Sequence, residues 1–203
     1  MIAIIDYGMG NIASILNMFK RIGNTDVMLA RDHSQIEKAD KILLPGVGAF
    51  DNGIKNLYKS GLVPLLNKRA IQDKIPVLGI CLGMQLLTRS SEEGIESGLG
   101  WIAADTKKFN FSDSLELKIP HMGWNYISVK KESPLINNLG KKKFYFVHSY
   151  YVKCDDQRDI LATCNYGIEF TSMIQKDNIF GAQFHSEKSH KFGMELFENF
   201  SKL

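Results

Sequence analysis

Cys81 is the residue whose surroundings most invite chemistry. It stands in Gly79-Ile80-Cys81-Leu82-Gly83, between the short apolar run Pro76–Ile80 and the amphipathic stretch Leu82–Arg89. This is a glycine-flanked strand-to-helix elbow with cysteine where serine often serves as nucleophile. Small neighbours permit a turn sharp enough to thrust Sγ out of a sheet. The helix N-terminus that follows favours a thiolate, and the Leu82 N–H is placed to meet a developing oxyanion. A lone cysteine in an apolar run is ordinarily inert core; the flanking glycines reverse that expectation.

A cysteine nucleophile needs a base and a group to orient it. The apolar run Ile179–Phe184 ends in His185-Ser186-Glu187. Residues two apart along a strand face the same side, so Glu187 is expected to hold the His185 imidazole from behind. His33, His121, His148 and His190 have no such partner in sequence. A second loop, Pro45-Gly46-Val47-Gly48-Ala49, follows the apolar run Lys41–Leu44 and opens on the same edge. Its glycines free backbone N–H groups for a ligand, a second oxyanion donor. Gly8-Met9-Gly10-Asn11-Ile12-Ala13, with Asp32 beyond the next strand, also fits a dinucleotide-binding fingerprint. The competing reading is a tight turn that needs glycine for positive φ, with Asn11 capping the next helix.

The elements that must position these residues follow from periodicity. Ile2–Ile5, Val27–Ala30, Lys41–Leu44 and Pro76–Ile80 read as strands. Asn11–Ile22, Gly53–Tyr58, Val63–Gln72 and Leu82–Arg89 read as helices. Strands apolar on both faces, alternating with helices, predict a mostly parallel central sheet flanked by helices in an α/β fold. After Gly100 the pattern becomes strand-rich: Trp101–Phe111, Leu115–Lys118, Asn125–Val129, Phe144–Lys153, Ile160–Tyr166, Ile168–Gln175 and Ile179–Phe184. A closing helix is expected over Lys191–Phe200.

Composition narrows the function classes. The 203 residues predict one domain spanning 1–203. With 25 Lys+Arg against 22 Asp+Glu, net charge is +3 and the basic residues are scattered, so no nucleic-acid partner is expected. The run Lys141-Lys142-Lys143 reads as a solvated turn. Three cysteines are too few for a disulfide scaffold and none pairs at zinc spacing, so no metal is expected. The N-terminus lacks a basic leader, and no window is long and apolar enough for a membrane span. A cytoplasmic location with reduced thiols is the expectation.

Taken together, Pro45-Gly46-Val47-Gly48, Gly79-Ile80-Cys81-Leu82-Gly83-Met84-Gln85 and Phe184-His185-Ser186-Glu187 resemble the signatures of the class I, triad-type glutamine amidotransferases. Within that family, Asp6–Asn11, Pro120-His121-Met122-Gly123-Trp124-Asn125, Val147–Tyr150 and Glu187-Lys188-Ser189 resemble the glutaminase subunits of imidazole glycerol phosphate synthase. The resemblance covers the whole chain and implies the flavodoxin-like fold of class I glutaminases. It further implies that Cys81, His185 and Glu187 hydrolyse L-glutamine through a thioester. Leu82 and the Val47–Gly48 peptide are implied as oxyanion donors, the latter conditional on a loaded partner. Gln85 and Glu93 would hold the substrate, and Ser149 and Tyr150 would offer it backbone contacts.

Ammonia would pass to a (β/α)₈-barrel synthase subunit that makes imidazole glycerol phosphate and AICAR, in a heterodimer. Asn11, Pro120, Met122, Trp124 and Lys188 would lie on the docking face, with Pro120–Trp124 as an exposed loop. No cofactor is implied. Ser186 departs from the proline common between the triad histidine and acid. Three alternatives stand beside this reading: the same glutaminase feeding amidation of a surface-polysaccharide sugar, a stand-alone cysteine hydrolase, and a dinucleotide-binding module.

Overall fold

The computed structural model describes residues 1–111, 117–136 and 141–203. The first half alternates β1 (Ile2–Ile5), α1 (Ile12–Arg21), β2 (Val27–Ala30), α2 (His33–Glu37), β3 (Lys41–Leu44), α3 (Phe50–Lys59), α4 (Val63–Asn67), β4 (Val77–Ile80) and α5 (Leu82–Leu86). The second half runs β5 (Ser90–Ser91), β6 (Ala104–Lys108), β7 (His121–Val129), β8 (Lys142–His148), β9 (Tyr150–Cys154), β10 (Ile160–Tyr166), β11 (Ile168–Lys176), β12 (Ile179–Ala182) and α6 (His190–Lys202). The main path of the sheet is β2-β1-β3-β4-β12-β11-β10-β7-β8.

The expected parallel sheet is there. β1 pairs in parallel with β2 and β3, and β3 with β4. Every residue of β1 is buried, because both faces are covered. Ala3 and Ile5 pack with α2–α5, while Ile2 and Ile4 pack under α1 and α6. Phe19 of α1 stacks on Phe197 of α6 with ring centroids 4.8 Å apart. Burying one such side chain is worth roughly 1.5–3 kcal/mol.

The decisive pairing for function joins the two halves. β12 lies parallel to β4, with Gly181 opposite Gly79 and Ala182 opposite Ile80. Cys81 N–H donates to Ala182 C=O at 2.8 Å, so residues about a hundred apart in sequence leave the sheet at one edge.

Several elements depart from expectation. α2 was not foreseen: Asp32 accepts from Gln35 N–H while Gln35 reaches back, a complete capping box. α4 continues over Lys68–Gln72 in a wider π-type turn. α5 ends at Leu86, not Arg89, because Leu99, Ile102, Gly100 and Gly98 donate their N–H groups to the carbonyls of Leu86, Leu87, Thr88 and Arg89.

The expected strand Trp101–Phe111 shortens to β6. Residues 115–116 of the expected strand Leu115–Lys118 lie outside the described residues, and Leu117 and Lys118 have no regular structure. The run Phe144–Lys153 is broken at Ser149 into β8 and β9.

Two corrections concern residues given a role. Met122 and Trp124 are not in a loop but in β7, which pairs with β8 from His121↔His148 to Ile127↔Lys142. Pro120 sits just before the strand, where its missing N–H is tolerated, and Gly123 takes φ +129, open to glycine. The Lys141–Lys143 run is not a solvated turn: Lys142 is buried in β8 and pairs with Glu195 of α6. The strand pairing, not local composition, decided both.

Candidate active site

The elbow forms at the junction of β4 and α5. Cys81 adopts φ +52 and ψ −109, a conformation that L residues enter only under strain. The flanking glycines are sterically required. A Cβ on Gly83 would fall 1.9 Å from Leu44 O, and one on Gly79 would fall 2.7 Å from Gly83 O. Leu82 begins α5, so its N–H has no acceptor within the helix.

His185 follows β12 and enters a single 3₁₀ turn, Ser186–Lys188. Its Nδ1 and Glu187 Oε1 are 2.8 Å apart, both side chains buried. The expected contact is made, but by the curl of the turn rather than by strand alternation. Burial disfavours the imidazolium, yet hydrogen bonds to Cys81 and Glu187 outweigh it and push the His185 pKa up to about 10. Glu187 Oε2 is buried with no hydrogen-bond partner among the described residues. Cys154 and Cys164, by contrast, are pushed up to about 12 by burial, which makes them inert thiols.

A cavity of about 620 Å³ opens over Sγ. It is lined by Cys81, Leu82, Gln85, Glu93 and His185, by Val47 and Gly48, by Gly10 and Asn11, and by Pro120, Val147–Tyr150 and Lys188. The structure therefore gathers residues from well-separated segments of the chain about the sulfur. Gly48 has φ +107, and Val47 is exposed on the rim. Tyr7 OH donates to Pro45 C=O at 2.6 Å and anchors this loop from below.

Glu93 Oε2 accepts from Phe50 N–H at 2.9 Å, capping α3 while its residue stays exposed at the rim. Gln85 Nε2 donates to Tyr150 C=O at 3.3 Å and to Gln183 Oε1 at 3.1 Å. The carbonyls of Ser149 and Tyr150 are both already engaged, by Phe109 N–H and by His148.

The glycine turn after β1 serves this cavity. Gly8 and Gly10 have φ +81 and +129, and a Cβ on Gly10 would strike Pro45 at 2.9 Å. Asn11 occupies the N-cap position of α1 without a side-chain capping bond, contrary to the capping role expected of it. Asp32, the acid wanted for a ribose, is engaged in its own capping box.

Met122 and Trp124 are exposed on β7, the indole stacked on His190 at 5.4 Å with the rings 5° apart. Lys188 is exposed, its Nζ 5.9 Å from the Tyr145 ring.

The other histidines have structural partners. His33 Nε2 meets Gly61 C=O at 3.0 Å, and His121 Nδ1 meets His148 Nε2 at 3.0 Å. Gln183 is the residue that sequence reasoning missed. Fully buried, it brings Nε2 to 3.8 Å from Cys81 Sγ. Its one signal was being the sole polar side chain within Ile179–Phe184.

The family model for glutamine amidotransferase class-I matches residues 3–203. A protein of Methanococcus maripaludis named imidazole glycerol phosphate synthase subunit HisH 2 is 58% identical over 203 residues, covering 100% of this chain and 99% of its own. A Pseudomonas aeruginosa protein of the same name is 52% identical, with 100% of both chains covered. Among solved structures, a glutamine amidotransferase superposes with TM-score 0.75 at 16% identity, covering 98% of this chain and 97% of the other. PurLQS from Thermotoga maritima gives 0.71 at 15% identity, covering 99% and 97%.

Proposed function

The chain belongs to the class-I glutamine amidotransferases, and from that premise we propose that it is the glutaminase subunit of an imidazole glycerol phosphate synthase, acting as one domain over residues 1–203. One observation carries the reading. Cys81 sits strained at a helix N-terminus in the wall of a cavity it shares with His185, itself hydrogen-bonded to Glu187 at 2.8 Å.

The geometry supports the following chemistry. L-Glutamine enters with its side-chain amide over Sγ, and Gln85 and Glu93 hold it, Glu93 facing the ammonium group. The sulfur attacks the amide carbon, and charge moves to the oxygen. Leu82 N–H meets that oxygen, joined by the Val47–Gly48 peptide once the partner is loaded; one such donor is worth roughly 10²–10³ in rate. The C–N bond then breaks, His185 gives its proton to the departing nitrogen, and ammonia leaves. Water attacks the thioester while His185 takes its proton, which frees glutamate and the sulfur. Glu187 keeps the imidazole oriented throughout.

Ammonia passes to a (β/α)₈-barrel synthase subunit docked over Asn11, Pro120, Met122, Trp124 and Lys188, in the cytoplasm. No helix among the described residues is long and apolar enough to cross a membrane.

Complementation of a histidine auxotroph lacking its glutaminase subunit tests the reading. Growth is expected with the wild-type chain and not with Cys81→Ser, which is nearly isosteric but offers a far less accessible anion. A wild-type chain that hydrolyses glutamine yet does not restore growth would assign it a different acceptor, such as a polysaccharide sugar. Glutaminase turnover retained by Cys81→Ser would remove the nucleophile.

A further inference from the structure

From the cavity-lining residues His148, Tyr150 and Gln85 to the buried Gln183 beside the nucleophile runs a chain of hydrogen bonds whose polarity is set by groups that cannot turn over. Tyr150 C=O can only accept. It takes the His148 Nδ1–H at 2.7 Å and an N–H of Gln85 at 3.3 Å. The amide of Gln85 is thereby oriented with Nε2 toward the interior, where it donates to Gln183 Oε1 at 3.1 Å. Gln183 must then present its own Nε2, and this lies 3.8 Å from Cys81 Sγ, within reach of an N–H···S hydrogen bond.

The histidine branch has the same rigidity. His148 gives its proton to Tyr150, so its Nε2 accepts from His121 Nδ1–H at 3.0 Å, and His121 Nε2 faces Asn125 Nδ2 at 3.4 Å. Asn125 Nδ2 is itself fixed by Asn165 C=O at 2.9 Å. Burial holds both rings neutral, His121 at about 4 and His148 at about 3, so each keeps one donor and one acceptor nitrogen.

We infer that Gln183 is a positioning residue for the nucleophile: its side-chain N–H holds Sγ aimed at the cavity and stabilises the sulfur when it carries charge. The inference rests on Cys81 being the nucleophile. Gln183 is completely buried and does not line the cavity, so it acts on sulfur and not on substrate. Its backbone is pinned by N–H donation to Ser172 C=O at 2.9 Å, which leaves the side chain to carry the contact. A hydrogen bond to the charged form of an acid favours ionisation, and sulfur accepts far better as a thiolate than as a thiol.

The test is the pH profile of Cys81 alkylation by iodoacetamide in the full chain, read on the Cys81 peptide by mass spectrometry so that Cys154 and Cys164 do not contribute. It is paired with glutaminase kinetics. Gln183→Met keeps the volume and removes the donor. It is expected to move the alkylation midpoint upward by about one pH unit per lost N–H and to lower kcat about tenfold, with KM for glutamine and the melting temperature near wild type. Gln183→Glu sets an acceptor against the sulfur and should move the midpoint further. The titratable groups that act on Cys81, His185 and Tyr7, are unchanged in Gln183→Met, whereas Gln183→Glu adds a carboxyl beside the sulfur.

A folded Gln183→Met with unaltered midpoint and kcat, or with raised KM alone, overturns the inference. Should the methionine variant not fold, Gln183→Leu and Gln183→Glu carry the same readout. Alkylation does not depend on turnover, whereas the nucleophile assignment fails only if Cys81→Ser stays active, so the two failures are distinguishable.

Discussion

Replacing Cys81 by alanine and by glycine makes a matched pair that reads the strain in the elbow. Both variants lack sulfur, lose the contact with His185 and are expected to be inactive, so those effects cancel between them. They differ in one respect. At φ +52 and ψ −109 alanine keeps the steric conflict, whereas glycine adopts the mirror-image region freely. Such a conformation costs on the order of 1–3 kcal/mol. Against this, exchanging alanine for glycine at an ordinary position loses about 0.5–1 kcal/mol through chain entropy. The balance makes the glycine variant more stable than the alanine variant by about 0.5–2 kcal/mol. In a chain of this size each kcal/mol moves Tm by about 2–4 °C. Thermal and urea unfolding of the two proteins, monitored by circular dichroism, measures the difference. The sign is diagnostic: if Cys81→Gly melts below Cys81→Ala, the elbow is unstrained and the argument for a stored backbone constraint at the nucleophile is refuted.

Three other outcomes follow from the same geometry. His185 is raised from 6.5 to about 10 by Cys81 and Glu187 against the opposing effect of burial. Its contribution to stability is therefore full below about pH 6.5 and is lost as pH rises through about 10. Urea unfolding across that window should show stability declining in the wild type and a flatter profile in Glu187→Gln; equal slopes would show that the pair does not form. Ser186, at the first position of its 3₁₀ turn, has a buried Oγ with no partner among the described residues and follows an extended His185, a setting that suits proline. Ser186→Pro should keep glutaminase activity and gain about 0.4–1 kcal/mol from the restricted unfolded chain, seen as a raised Tm; a lowered Tm contradicts the reading. Trp124→Ala removes an exposed ring stacked on His190. It should leave the melting temperature nearly unchanged while lowering glutamine-dependent synthesis more than ammonia-dependent synthesis, since buried aromatic anchors carry about 2 kcal/mol or more at interfaces. Unfolding of the variant, or equal loss of both syntheses, would move the docking face elsewhere.

The amino-acid sequence by itself determined the local elements and the chemistry-bearing residue types. The apolar runs Ile2–Ile5, Val27–Ala30 and Lys41–Leu44 are strands with the expected bounds, because a strand packed in an α/β sheet announces itself as a short apolar run ended by turn residues, even at the partly buried edge where β2 lies. The elbow around Cys81 was equally legible, since only glycine fits where a Cβ would meet Leu44 or Gly83 backbone. Pairing across the sheet was not legible. Nothing within Ile179–Phe184 states that it will lie parallel to β4, and it is that register, Ala182 opposite Ile80, that delivers His185 and Gln183 to the sulfur. The same holds for Met122 and Trp124, which proline and glycine mark locally as a loop but which β8 draws into a strand. Lys142, charged and flanked by lysines, is buried because Glu195 awaits it on α6. Local pattern is read from neighbours along the chain. Strand pairing, partner charges and hydrogen-bond polarity depend on groups from tens to about a hundred residues away, and only the folded sheet brings those groups into contact.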